Sequence, residues 1–151
     1  MSLDVYFFSY LDGKPVPISI DILTDALGKF VDWRDGRVWA LKFPDGRWSD
    51  LYVNEELEIW SFSLNRPALS PELSQGVFDI MRKTRGILVC SGAGACVTDV
   101  SIISRIDFIH SVSPIHVVND PSGIRVRIAE ALAIAAGYTN YIRRLVNGPP
   151  R

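Results

Sequence analysis

Hydrophobic and polar positions alternate most regularly between Arg37 and Val53. Trp39, Leu41 and Phe43 share one face of the first half of this stretch and Ala40 and Lys42 the other, the period of a half-buried strand. Pro44-Asp45-Gly46 supplies a fixed φ, a side chain that bonds its own backbone and a residue free to take positive φ, which a hairpin loop requires. Arg47–Val53 then returns as a second strand. Asp35-Gly36 precedes the first run, so Val31–Trp33 is expected to lead into the same antiparallel meander.

The remaining apolar runs predict further elements. Leu3–Tyr10, rich in Val, Tyr and Phe, reads as a buried first strand ended by Asp12-Gly13-Lys14-Pro15. Leu57–Leu64 is apolar on both faces and reads as a more central strand, closed by Asn65-Arg66-Pro67. Ile87–Cys90 and Pro114–Val118 are short strands, and Ser91–Ala95 is a small-residue loop.

Ser19 is placed to cap a short helix reaching about Phe30, with Ile20, Leu23, Leu27 and Phe30 on one stripe. Ser70-Pro71-Glu72 opens a second helix. Serine caps it, proline takes the first helical position, Leu73, Val77, Ile80 and Met81 face inward, and Gly86 suits the C′ position. A last helix is expected from near Ser122, burying Ile124, Ile128, Leu132 and Ala135, with a break at Gly137 before Tyr138–Val146. Val97–Ser111 fits two periods. Val100, Ile102, Ile106 and Phe108 suit a strand, whereas Val100, Ile103, Ile106 and Ile109 suit a helix after Thr98 or Asp99, and the length favours the helix. Strands first and helices interspersed, without a strict βαβ repeat, predict an α+β fold. It is expected as one domain over residues 1–148 with a frayed tail at 149–151, a mixed or mainly antiparallel sheet opening on a β-meander, and three to four helices.

Composition narrows the function classes. At 151 residues the chain is long enough to bury a core without staples, and 48% apolar with 22% charged residues is a globular balance. A formal charge of −1 does not supply the clustered cations that nucleic acid or an anionic membrane surface attracts, so neither is expected as a partner. The N-terminus has no basic segment ahead of its short apolar run, and charged residues or proline interrupt every longer one. With only Cys90 and Cys96 and no sign of export, a reduced, cytoplasmic protein is expected.

No stretch completes a site for chemistry. Ser91-Gly92-Ala93-Gly94-Ala95-Cys96 holds two of the three glycines of a dinucleotide fingerprint, with Val97 at the third, and lacks the Lys-Ser/Thr of a triphosphate loop. No cofactor is expected. Cys90 or Cys96 with His110 or His116 offers a thiol nucleophile and a base, the alternative catalytic set being Cys90, Cys96 and His116 of a small hydrolase or transferase. The same four residues fit no common zinc spacing, so no metal is expected. Glu55, Glu56 and Glu58 with Asp32, Asp35, Asp45 and Asp50 read as solvated turns or as an acidic surface for a basic partner. Arg82, Lys83 and Arg85 suit the negative end of their helix. Of the four tryptophans, Trp39 is expected in the core. Trp33, beside a turn, and Trp48, next to Arg47, are expected partly exposed, the composition of an interface hot spot.

Leu3-Asp4-Val5-Tyr6-Phe7-Phe8, Arg66-Pro67 followed by the Ser70-Pro71-Glu72-Leu73 helix start, and Ile87-Leu88-Val89 together resemble small bacterial proteins of the immunity kind found with polymorphic toxins and type VI secretion systems. The resemblance covers about the first two-thirds of the chain and carries over no functional residue. It implies a cytoplasmic, non-enzymatic protein that binds and blocks a cognate toxin. The contact surface is expected at Trp33, Trp48, Asp50, Glu55 and Glu56. A homodimer whose sheet edges pair is the further alternative.

Overall fold

The computed structural model describes residues 4–53, 58–107 and 112–147. Its centre is the first strand, β1 (Asp4–Phe8), whose inward residues Val5 and Phe7 are fully buried. β1 lies between two strands distant in sequence, β9 (Ser61–Asn65) and β10 (Ile87–Cys90), both antiparallel to it. The meander forms as its turn chemistry requires. β5 (Val31–Asp35), β6 (Val38–Lys42) and β7 (Trp48–Tyr52) pair in sequence, and β7 joins β9. At the far side β10 turns back into β11 (Gly94–Val97), and β12 (Ile115–Val117) adds parallel to β11. The result is an eight-stranded mixed sheet in the order β12-β11-β10-β1-β9-β7-β6-β5. Two minor pairs flank it, β2 (Tyr10–Leu11) with β3 (Lys14–Pro15) and β4 (Ile18–Ser19) with β8 (Glu58–Ile59).

Three α-helices are among the described residues, with two short 3₁₀ segments. α1 (Ile20–Leu27) is capped by Ser19, whose hydroxyl accepts from the Asp21 N–H, and it tightens into a 3₁₀ turn, Gly28–Phe30. α2 (Pro71–Thr84) is capped by Ser70, which accepts from the Leu73 N–H. α3 (Pro121–Asn147) runs unbroken for 27 residues. Together with the helix-facing side of the sheet, these helices enclose the main core, in which Trp39, Phe7, Leu23, Leu27, Leu64, Leu73 and Ile80 are fully buried. Each such side chain contributes roughly 1.5–3 kcal/mol by leaving water. A smaller core on the opposite side joins Ile87, Ala95 and Val97 to Ile102, Ile106 and Val112.

Four expectations change. α2 does not place Gly86 in the left-handed position. Arg85 takes it at φ 57°, and Gly86 is needed for space, because a Cβ there would lie 2.2 Å from the Phe7 ring. α3 does not break at Gly137, since one glycine costs a helix only about 1 kcal/mol and leaves every N–H in place. Val97–Ser111 is neither a strand nor an α-helix as far as it is described. β11 ends at Val97, Asp99 caps a 3₁₀ segment (Val100–Arg105) that buries Ile102, and residues 108–111 lie outside the described residues. Finally, the small-residue loop is shorter than Ser91–Ala95, because β11 begins at Gly94. Gly94 sits at φ 86° with the Pro114 carbonyl oxygen 2.0 Å from where a Cβ would be, so it serves the close approach of the chain at Pro114. The tail, 148–151, also lies outside the described residues.

Candidate functional site: an open aromatic sheet face

The sheet's second face is unevenly covered. Beyond β10 and β11 it carries the small core. Among the described residues it stays open over β5, β6, β7, β9 and β1, and its large side chains meet solvent: Trp33 is 55% exposed, Trp48 46%, Tyr52 41% and Tyr6 38%. Strand alternation puts them there. Trp39, Leu41, Leu51, Leu64 and Phe7 fill the helix side, so their neighbours in sequence point away.

Register arranges this face in rows. One runs Trp33, Ala40, Asp50, Asn65, Asp4 across five strands. The next runs Asp35, Val38, Tyr52, Ser63, Tyr6. Lys42 faces Trp48 in a third, with its ammonium 5.4 Å from a ring centroid of the indole. Trp33, Trp48 and Asp50, expected from the sequence as contact residues, therefore share one face, with the small Ala40 between Trp33 and Asp50. Glu55 and Glu56 lie outside the described residues. The face measures roughly 20 Å across the strands and roughly 14 Å along them.

Polar groups are interleaved with the rings. Asp4 accepts from the Asn65 amide at 2.8 Å and from the Tyr6 hydroxyl at 3.4 Å. Burial, aided by the Asp4 charge, holds the Tyr6 hydroxyl above the usual phenol range, so it remains a donor at neutral pH. A shallow cleft of about 280 Å³ opens beside it, with Tyr6, Phe8, Arg37, Tyr52 and Ser63 in its walls. Tyr6 stacks on Phe8 with centroids 6.3 Å apart, and Trp60, 43% exposed, continues the aromatic series 6.2 Å from Phe8. Sequence reading missed Tyr6, Tyr52 and Trp60. The signal for Tyr6 and Tyr52 was their parity with exposed positions, obscured because both faces of these strands are apolar.

The cysteine–histidine set is gathered differently. Cys96 and His116 are register partners on adjacent strands, and Cys90, opposite Gly94 in the β10–β11 hairpin, lies diagonal to Cys96. Both thiols are fully buried on the helix side. The bond to Cys96 and the burial push the Cys90 thiol far above the usual range, the opposite of an activated nucleophile. His116 Nε2 stands 3.5 Å from Arg127 Nη1, and Arg127 is paired with Glu130 at 2.7 Å. His110 lies outside the described residues. Among the described residues no cluster of three or more His, Cys, Asp or Glu side chains is placed to hold a metal ion, and no helix is long and apolar enough to cross a membrane.

Compared with known proteins, the chain matches no protein-family model, no curated protein and no solved structure.

Proposed function

We propose that this chain is a non-enzymatic protein-binding protein whose partner docks on the open sheet face, and that it acts in the cytoplasm as an immunity protein covering a cognate bacterial toxin. The observation that carries the reading is the gathering of Trp33, Trp48, Tyr52 and Tyr6 on one solvent-facing surface of a continuous sheet. Tryptophan and tyrosine dominate binding hot spots because they bury much apolar area while fixing only two torsions. Held on strands, these rings are ordered before the partner arrives, which lowers the entropy cost of docking.

The face is favoured over the sheet edge. β5, the edge beside Trp33, carries a bulge between Val31 and Trp33 and exposes Asp32, Arg34 and Asp35, devices that discourage strand addition. The patch covers roughly 300 Å², whereas a stable complex buries about 800 Å² on each partner. It therefore serves as an anchor within a wider contact, and Glu55 and Glu56, which follow β7 in the chain, belong to the proposed rim on sequence grounds. Asp4, Asp35 and Asp50 outnumber Arg37 and Lys42 around the rings, which suits a partner presenting Lys or Arg, such as the substrate surface of a nuclease.

The test is affinity capture from a lysate of the source cell, identification of stoichiometric partners by mass spectrometry, and assay of the partner's activity with and without this chain. An enzyme that loses activity on adding one equivalent supports the reading. Recovery of this chain alone, with a size-exclusion mass of twice the monomer, replaces it with a homodimer.

A further inference from the structure

A second cleft, of about 510 Å³, opens on the opposite flank of the sheet, where α2 ends and the chain leaves the parallel strands β11 and β12. We infer that it is a binding site for a phosphate group, carried by a small molecule or as the free anion. Its walls combine donors from three separate segments: Arg82 and Arg85 at the end of α2, Thr98 after β11 and Asn119 after β12.

Both arginines are placed in ways that serving the helix dipole does not require. Arg85 occupies the left-handed C-cap, a conformation that costs a side-chain-bearing residue roughly 1–2 kcal/mol. From there its guanidinium donates to the Ser101 hydroxyl at 2.8 Å, in the segment after β11. Arg82 lies over the Phe78 ring, 5.7 Å from its centroid, a contact with the ring face that takes up none of its N–H donors. The ion pairs among the described residues engage Arg47, Arg105 and Arg127, and neither Arg82 nor Arg85. Two guanidiniums with a hydroxyl and an amide match the tetrahedral, multiply accepting oxygens of phosphate. The volume admits phosphate with a compact organic body.

Asp99 is the opposing charge in the wall. Its carboxylate accepts from the Ser101 N–H at 2.8 Å, and these bonds, with the Arg85 charge nearby, hold it below the usual carboxylate range and therefore ionised. It leaves the cleft a single net positive charge and weakens any anion bound there.

The experiment is calorimetric titration of the full chain, in a buffer free of phosphate and sulfate, with inorganic phosphate, adenosine 5′-monophosphate and adenosine. Saturable binding of phosphate or the nucleotide, but not of adenosine, is expected. Arg82→Gln and Arg85→Gly should each weaken it about 10-fold, the usual loss with one charge-assisted bond. Asp99→Asn, which keeps a capping side chain, should tighten it severalfold. Urea midpoints of the variants show that they fold, and glycine suits the backbone at 85. Tighter binding of the nucleotide assigns the site to a phosphorylated small molecule, and equal binding assigns it to the anion itself. Absence of saturable heat with both phosphate ligands overturns the inference, as does affinity unchanged in both arginine variants.

Discussion

The end of α2 offers a test with opposite signs at adjacent residues. At Gly86 the added Cβ of alanine would sit 2.2 and 2.4 Å from two Phe7 ring carbons, against a preferred carbon–carbon separation of about 3.5–4.0 Å. The ring has nowhere to retreat. Phe7 is fully buried and stacks on Phe62 with centroids 4.7 Å apart. The Gly86 backbone is not in the left-handed region, so alanine adds steric conflict and little else. Overpacking of this kind costs about 1–3 kcal/mol, and the depth of the overlap places Gly86→Ala near the upper end. At Arg85 the sign reverses. Arg85→Gly removes a left-handed penalty of about 1–2 kcal/mol, against about 0.5–1 kcal/mol of unfolded-state entropy and about 0.5 kcal/mol for the exposed bond to Ser101, so it should stabilise slightly, by about 0.3 kcal/mol. If Gly86 were the left-handed residue instead, Arg85→Gly would weaken the last helical turn by about 1 kcal/mol. Urea unfolding separates the cases. With a slope of about 2 kcal/mol per M, the Gly86→Ala midpoint should fall by about 1.5 M while that of Arg85→Gly rises slightly. A lowered midpoint for Arg85→Gly, or a loss below about 1 kcal/mol for Gly86→Ala, refutes this account of the helix end.

Other predictions rest on separate contacts. Ser49 is buried, donates to the Arg66 carbonyl at 3.1 Å and accepts from the Ala68 N–H at 2.7 Å, so Ser49→Ala should cost about 1–3 kcal/mol in the same urea assay. The Asp12 carboxylate is held below its ordinary range by hydrogen bonds from Arg105, at 3.0 Å from Nε. Its contribution is therefore complete above the unfolded carboxylate pKa and is lost as pH falls through the lower folded value; Asp12→Asn should flatten the stability–pH curve in that acid range and leave its shape near pH 7 unchanged. Cys90 and Cys96 should react with a thiol reagent at least about 100-fold more slowly than a free cysteine in native buffer, and at the ordinary rate in urea.

What the sequence discloses depends on how local the deciding forces are. The meander was legible because Asp35-Gly36 and Pro44-Asp45-Gly46 set turns between strands that pair with their neighbours in sequence. The insertion of β1 between β9 and β10, and the parallel addition of β12, join distant segments and leave no local trace. Val100 and Ile106 satisfy two periods at once, and burial of Ile102 and Ile106 against Ile87, Ala95 and Val97 decides the outcome. Exposure of Trp33 and Trp48 could be read from a neighbouring turn and a neighbouring arginine, and only the strand register puts them with Asp50 on one face. That of Tyr6 could not, because Val5, Tyr6, Phe7 and Phe8 look equally apolar in sequence. The cleft at Arg82 and Arg85 exists only once the ends of β11 and β12 meet the end of α2, which no spacing along the chain reveals.

The open face is tested most directly by the affinity of the captured partner for the native chain and for a Trp33→Ala, Tyr52→Ala double variant. Both rings are exposed, so the variant should keep its urea midpoint to within the effect of about 0.5 kcal/mol per site that surface substitutions have. If these rings anchor the complex, the dissociation constant should rise by at least about 100-fold, as expected for two hot-spot side chains. A folded double variant that binds the partner within about threefold of the native affinity would contradict the assignment of this face.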